Sequence, residues 1–130
     1  MKEINYLTLA EVIEIHSDQI ERYGGQNGIR DRNLLSSAVA MPEASFQGVF
    51  PHPTLFDMAA AYAYHLFQYH PFIDGNKRTG LAASLVFLEL NGIRVPDPRG
   101  RLYETIITIA AGKLSKAELT AVLRHLAEKK

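Results

Sequence analysis

The run His70-Pro71-Phe72-Ile73-Asp74-Gly75-Asn76-Lys77-Arg78-Thr79-Gly80 places a titratable imidazole, an oxygen ligand for a hard cation and two fixed positive charges in one short stretch. A neutral imidazole at His70 can take a proton from an attacking hydroxyl near neutral pH. Asp74 offers the kind of oxygen that Mg²⁺ prefers, and such an ion would sit between the carboxylate and phosphates. Gly75 has no Cβ, so the backbone can turn sharply there and a phosphate can come close. Asn76 has the side chain of an N-cap, and the residues after it predict a helix from Lys77 to Leu90 whose free first-turn amides face back to the loop. Those amides and the positive end of the helix dipole favour an anion. Lys77 and Arg78 add charge of the sign the dipole disfavours there, so something negative is needed to offset them. Taken singly, Asp-Gly-Asn is a turn, Lys-Arg a solvated patch and a His beside Pro a loop residue. In this order they describe an anion site beside a base, which suits phosphoryl or nucleotidyl transfer.

The elements that must position this loop read as helices. Thr8-Leu9-Ala10-Glu11 is a capping box, and Leu9, Val12, Ile13, His16 and Ile20 then share one face, which predicts a first helix from Leu9 to Tyr23 ended by Gly24-Gly25. Asp31 is placed to cap a second helix from Arg32 to Met41, stopped by Pro42. Glu43 to His52 has no period and reads as a loop or short flap. Pro53 suits a helix first turn, and Thr54 to Tyr69 predicts a third helix leading into the motif. The Lys77–Leu90 helix is apolar on almost every side and should be the buried central element. Asn91-Gly92 closes it, and Pro96-Asp97-Pro98 reads as a linker turn. Leu102, Ile106 and Ile109 mark a fifth helix; Ser115 to Glu118 caps a sixth with the stripe Leu119, Val122, Leu123 and Leu126. The expected fold is all-α: one domain over residues 1–130, a compact bundle of about six helices with the active-site loop between two central ones.

The other histidines carry less. His16 lies on the apolar face of the first helix and reads as a satisfied core or groove residue. His65 precedes His70 by five residues, so the two do not share a face and form no i, i+4 metal pair. His52 and His125 read as surface residues. Arg22-Tyr23-Gly24-Gly25 reads as a helix C-cap.

Composition bounds the function classes. The 130 residues and 14.5 kDa suit one domain with a workable core. Basic and acidic residues balance at 14 each, which argues against a non-specific nucleic-acid or anionic-membrane binder. With no cysteine there are no disulfides or thiolate metal sites. Met1 to Asn5 lacks the apolar core of a signal peptide, and the most apolar run, Leu81 to Leu90, is too short to span a bilayer. A cytoplasmic protein is the default expectation.

The motif His70-Pro71-Phe72-Ile73-Asp74-Gly75-Asn76-Lys77-Arg78 resembles the signature of the Fic/Doc superfamily, His-x-Phe-x-(Asp/Glu)-Gly-Asn-x-Arg. The likeness extends to His16–Asp31, which reads HSDQIERYGGQNGIRD, and to Ala110–Leu126, so it covers nearly the whole chain. Two positions are similar to the Doc ("death on curing") branch: Lys77, where Fic adenylyltransferases usually have Gly, and Leu81, where they have a second Arg that holds the nucleotide with its α-phosphate exposed. Gly75 departs from the Doc prototype, which has Ala there, and follows the Fic choice.

The resemblance implies a toxin kinase that phosphorylates a threonine of translation elongation factor Tu with ATP, His70 acting as base and Asp74 binding Mg²⁺. It further implies that Asn76, Lys77 and Arg78 hold phosphates, that Gly75 gives backbone access and that Phe72 anchors the loop in the core; Ile73 reads as plain packing. A cognate antitoxin whose C-terminal segment folds on the toxin is the implied partner. Ser17-x-x-x-Glu21 resembles the inhibitory Fic helix, but Arg22 follows it and the second motif Arg is missing, so self-inhibition by that route is not expected. The alternatives are a Fic-like transferase that moves AMP to a protein hydroxyl and a catalytically inactive binding module.

Overall fold

A reciprocal cap opens the first helix. Thr8 Oγ1 accepts the Glu11 amide at 3.1 Å while the Glu11 carboxylate accepts the Thr8 amide at 2.8 Å, so two of the donors that a helix start orphans are satisfied. In the computed structural model, which describes residues 3–44, 52–96, 102–109 and 115–128, α1 runs Leu9–Tyr23, as the sequence predicts. Gly24 ends it at φ 85°, its amide bonded to the Ile20 carbonyl at 2.8 Å. Asp31 caps α2 (Arg32–Ala40) by accepting the Leu34 amide. That helix stops one residue before the expected Met41, because Met41–Glu43 tighten into a 3-10 turn around Pro42, which has no N–H to continue the ladder.

Helix α3 (Leu55–Tyr69) starts from a second capping box, Thr54 with Asp57, so Pro53 lies outside the cap and not in the first turn as expected. Next come α4 (Asn76–Leu90), α5 (Leu102–Ile109) and α6 (Lys116–Glu128), the last capped by Ser115 Oγ on the Glu118 amide. Among the described residues these six helices carry the architecture and no strand forms; Ile29 and Phe72 make an isolated antiparallel bridge. The fold is all-α. No described helix is long and apolar enough to cross a membrane. Most of the expected Glu43–His52 flap, and Asp97-Pro98 of the linker turn, lie outside the described residues.

The core forms where α3 packs on α4, α6 and α2, with α1 covering α4. Val12, Leu35, Leu66, Phe87, Leu119 and Leu123 are fully enclosed. The α3–α4 contact is close because it is built from small residues: Ala59, Ala60 and Ala63 on one side, Gly80 on the other. A Cβ on Gly80 would stand 2.9 Å from the Ala63 carbonyl oxygen and 2.7 Å from the Phe67 ring, so only glycine permits this approach. Two tightly paired helices thus fix both ends of the motif loop that joins them.

One expectation about the surface fails. His52 is buried, and with His65 of α3 it faces Lys116 of α6, whose Nζ lies 3.0 Å from His52 Nε2 and 3.2 Å from His65 Nε2. A lysine ammonium only donates, so each Nε2 accepts and both rings are neutral. His125 is exposed, as expected.

Candidate functional site

His70 ends α3 in the left-handed region, at φ 46° and ψ 53°, and it is the one non-glycine residue with positive φ among those described. That conformation costs an L-residue about 1–2 kcal/mol. The loop is held in place around it. Arg30 Nε donates to the His70 carbonyl at 2.6 Å and its terminal nitrogen to the Tyr69 carbonyl at 2.7 Å, which satisfies two acceptors that the end of α3 leaves open. The Arg30 and Asp31 amides both donate to the Pro71 carbonyl, and the Ile73 amide donates to the Gly28 carbonyl at 3.0 Å. The segment between α1 and α2 is therefore a brace laid along the first half of the motif.

From beneath, the loop rests on Phe72 and His16. The Phe72 ring is buried and stacks on the His16 imidazole with centroids 3.8 Å apart and planes 3° from parallel. His16 Nε2–H donates to the Asp74 carbonyl at 2.8 Å, the carbonyl being able only to accept. Burial lowers the His16 pKa below its ordinary value, against the pull of that bond and of the Asp74 charge. His16 is thus the satisfied core histidine that its place on α1 predicts, and it also fixes the backbone that carries Asp74. Ile73 departs from expectation, since 47 % of it is exposed and it lies over Gly28, outside the core.

Asn76 also differs from its expected role. The N-cap of α4 is Gly75, at φ 76° and ψ 17°, a left-handed conformation that favours glycine, and the helix already includes Asn76. The Asn76 side chain turns back into the loop, where Oδ1 accepts the Phe72 amide and Nδ2 donates to the Phe72 carbonyl, each at 2.9 Å. Its carboxamide is thereby committed to shaping the loop, and what it has left to offer an anion is its backbone N–H and the second N–H of Nδ2. The first helical bond of α4 runs from the Thr79 amide to the Gly75 carbonyl at 2.9 Å, so the Asn76, Lys77 and Arg78 amides have no acceptor one turn back.

These parts surround a cleft of about 380 Å³, into which His70, Asp74, Gly75, Asn76, Lys77 and Arg78 all contribute. The sequence-proposed residues are therefore brought together. Asp74 is exposed, and each of its oxygens accepts one backbone amide: Oδ2 that of Gln26 at 3.1 Å, Oδ1 that of Gly75 at 2.9 Å. Lone pairs remain on both. No group of three or more His, Asp or Glu side chains suited to a metal occurs among the described residues. A single carboxylate beside an anion cleft fits Mg²⁺ of the kind that arrives with phosphates and keeps several waters, and does not fit a resident metal held by the protein alone.

Lys77 is exposed, and neither it nor Arg78 has a carboxylate or carbonyl partner among the described residues. The Arg78 guanidinium instead lies over the rings of Tyr23 and Tyr103, 4.0 Å from each centroid. Sequence reasoning missed Gln26, Gly28, Arg30, Tyr23 and Tyr103 as parts of this site. The only signal was that all but Tyr103 fall in His16–Asp31, the stretch that shares the motif's resemblance.

The chain is 45 % identical over 73 residues to "Toxin Doc" of Mycolicibacterium smegmatis, a match spanning 56 % of this chain and 56 % of that one, so it covers little more than half of that relative's length. It is 30 % identical over 125 residues to "Protein kinase doc" of Escherichia phage P1, across 95 % of this chain and 96 % of the phage protein. The model of the Fic/DOC family matches residues 6–88, which include α1, the brace, α3, the motif loop and α4 as far as Leu88, and the chain accordingly belongs to the Fic/DOC family.

Proposed function

We propose that the chain is a Doc-type toxin kinase that moves the γ-phosphoryl group of ATP to a protein hydroxyl, with a threonine of translation elongation factor Tu as target and arrest of translation and growth as the outcome. The observation that carries the reading is the convergence, in one cleft, of the His70 imidazole with unpaired first-turn amides and two cations that lack a protein anion. A relative named as a protein kinase along nearly the whole chain supports the phosphoryl over the nucleotidyl product.

In this reading His70 takes the hydroxyl proton as the oxygen attacks the γ-phosphorus; the new O–P bond forms, the bond to the bridging oxygen breaks and ADP leaves. Lys77, Arg78 and the amides of residues 76–78 hold the phosphates and stabilise the charge that shifts onto the leaving oxygen. Gly75 leaves the backbone open to them. Asp74 would hold Mg²⁺, which when bound neutralises phosphate charge. The Asp74 oxygens are oriented by the Gln26 and Gly75 amides, so the carboxylate needs little reorganisation to bind. A cognate antitoxin, with a C-terminal segment that folds on the toxin, restrains the activity in the cytoplasm. Gly75 favours a second reading, a Fic-like transfer of AMP to the same class of hydroxyl.

Incubation with elongation factor Tu and either γ-labelled or α-labelled ATP separates the two. Label entering the factor from the γ-position alone is the expected result; label from the α-position alone removes the kinase reading. An inactive binding module predicts that toxicity survives His70→Ala and Asp74→Ala, whereas either enzyme reading predicts its loss.

A further inference from the structure

Arg78 is the one cation at the cleft whose surroundings are built rather than solvent. Three elements meet on it: Arg78 stands in the first turn of α4, Tyr23 is the last residue of α1 and Tyr103 lies in the first turn of α5. The guanidinium carbon is 4.0 Å from both ring centroids, well inside the range over which a ring face attracts a cation. No carboxylate or carbonyl takes up its N–H donors among the described residues. Tyr103 lines the same cleft as Arg78, while Tyr23 is 60 % exposed and has no core to fill. A large ring left mostly in water but laid against a guanidinium is poorly explained by packing.

We propose that Tyr23 and Tyr103 are positioning residues, which cage the Arg78 guanidinium so that its free N–H edge is set toward a phosphate anion before the nucleotide arrives. The proposal rests on the nucleotide-binding reading above. Stacking suits the planar, weakly hydrated guanidinium and not a lysine ammonium, which gives a reason for Arg at this position beside a Lys. It also removes in advance the rotamer freedom that a long side chain otherwise loses on binding. The cage joins α1 and α5 across the start of α4, so an anion at the cleft is recognised through residues far from the motif in sequence.

The test is calorimetric titration of the full chain with Mg²⁺ and a non-hydrolysable ATP analogue. Tyr23→Phe and Tyr103→Phe keep the ring and should bind like the parent. Tyr23→Leu and Tyr103→Leu should each weaken binding about fivefold, and the pair about 20-fold, within the range of cation–π contributions. Arg78→Lys should weaken binding in the parent yet add little in the double-Leu background, because the advantage of Arg comes from the rings. Without nucleotide, the Arg78 Nε–H resonance should be ring-current shifted in the parent and should move in the Leu variants, which reports the stacking in solution, while the loss of the Arg78→Lys effect in the double-Leu background separates positioning from mere packing.

Unchanged or tighter binding in Tyr23→Leu, with Arg78→Ala clearly weakened, overturns the cage while leaving the cleft intact. A parent that takes up no nucleotide overturns the functional reading and the cage with it. Tyr23 is exposed enough that its substitution carries the test even if Tyr103→Leu fails to fold.

Discussion

Two places in this molecule bring histidine and cations together, and they solve the charge in opposite ways. Between α3 and α6, Lys116 is surrounded by the Nε2 atoms of His52 and His65, so the positive charge finds neutral acceptors inside the protein. Burial, then the Lys116 charge, lowers both histidine pKa values, that of His65 to about 4, and burial lowers Lys116 as well. At the motif loop, His70 is exposed and Lys77 and Arg78 have no acceptor among the described residues. The first cluster meets its cation inside the protein, although the buried Nδ1 atoms of His52 and His65 have no hydrogen-bond partner among the described residues; the second meets its cations only with an anion. A strongly displaced pKa here marks a structural contact, and unmet donors around a cleft mark the candidate site.

The largest expected effect breaks the comparison at its chemical end. His70→Ala should lower turnover by about 10²- to 10⁴-fold, the usual worth of a general base, and leave nucleotide affinity largely unchanged. His65→Ala should do the reverse, lowering the melting temperature with turnover per folded molecule kept. Loss of turnover from His65→Ala in a fully folded sample would erase the distinction. Next in size are the cations. Arg78→Ala should weaken nucleotide binding by about 2–5 kcal/mol if the contact is desolvated and hydrogen-bonded, and exposed Lys77→Ala by less. Titration of both variants, and of the double mutant, measures this; affinity unchanged in the double mutant shows that the phosphates lie elsewhere.

Where local rules act, the sequence was readable. The bounds of α1, the Thr8–Glu11 box and the Asp31 cap follow from neighbours within a few residues, and the structure places them as expected. Asn76 shows where such rules stop. An Asn before an apolar helix caps it when its side chain reaches forward, but here a left-handed Gly75 takes the cap and the carboxamide reaches back to Phe72. Spacing alone is compatible with both. His52 looked exposed because its partner Lys116 is 64 residues away in sequence. Arg30 was missed for the same reason: it closes on carbonyls 39 and 40 residues later, and no periodicity links the two segments. The motif residues stood together in the chain; the brace and the tyrosine cage exist only once the helices have packed.

Acid sharpens the contrast at intermediate size. The unfolded chain protonates His65 as pH falls through its ordinary value of 6.5, whereas the folded chain keeps it neutral down to about 4. Between those values the unfolded state binds more protons, so the contribution is fully present above 6.5 and is lost progressively as pH falls toward 4. His52, also lowered, acts in the same direction. The loss should amount to about 2–3 kcal/mol by pH 4. Denaturant melts at stepped pH should show this slope in the parent, and His65→Gln should flatten it. An unaltered slope in that variant would assign the acid sensitivity to other groups.

The smallest effect separates the two regions by sign. His70 is held at φ 46°, a conformation that glycine adopts without strain, and its backbone carbonyl keeps the Arg30 bond whatever side chain it carries. His70→Gly should therefore relieve the left-handed strain but add chain entropy to the unfolded state, for a net gain of about 0.5–1 kcal/mol. Turnover should vanish with the imidazole. In the buried cluster, removing either histidine takes one acceptor from Lys116 and opens a cavity, which should destabilise. A folded protein that becomes more stable when a histidine is deleted has been retaining that histidine against its own stability, as is expected of a residue kept for chemistry. Equilibrium melts of His70→Gly beside His70→Ala decide the point: a gain confined to the glycine variant assigns the cost to the backbone that presents the imidazole, and a loss in both would mean that the side chain itself supports the fold.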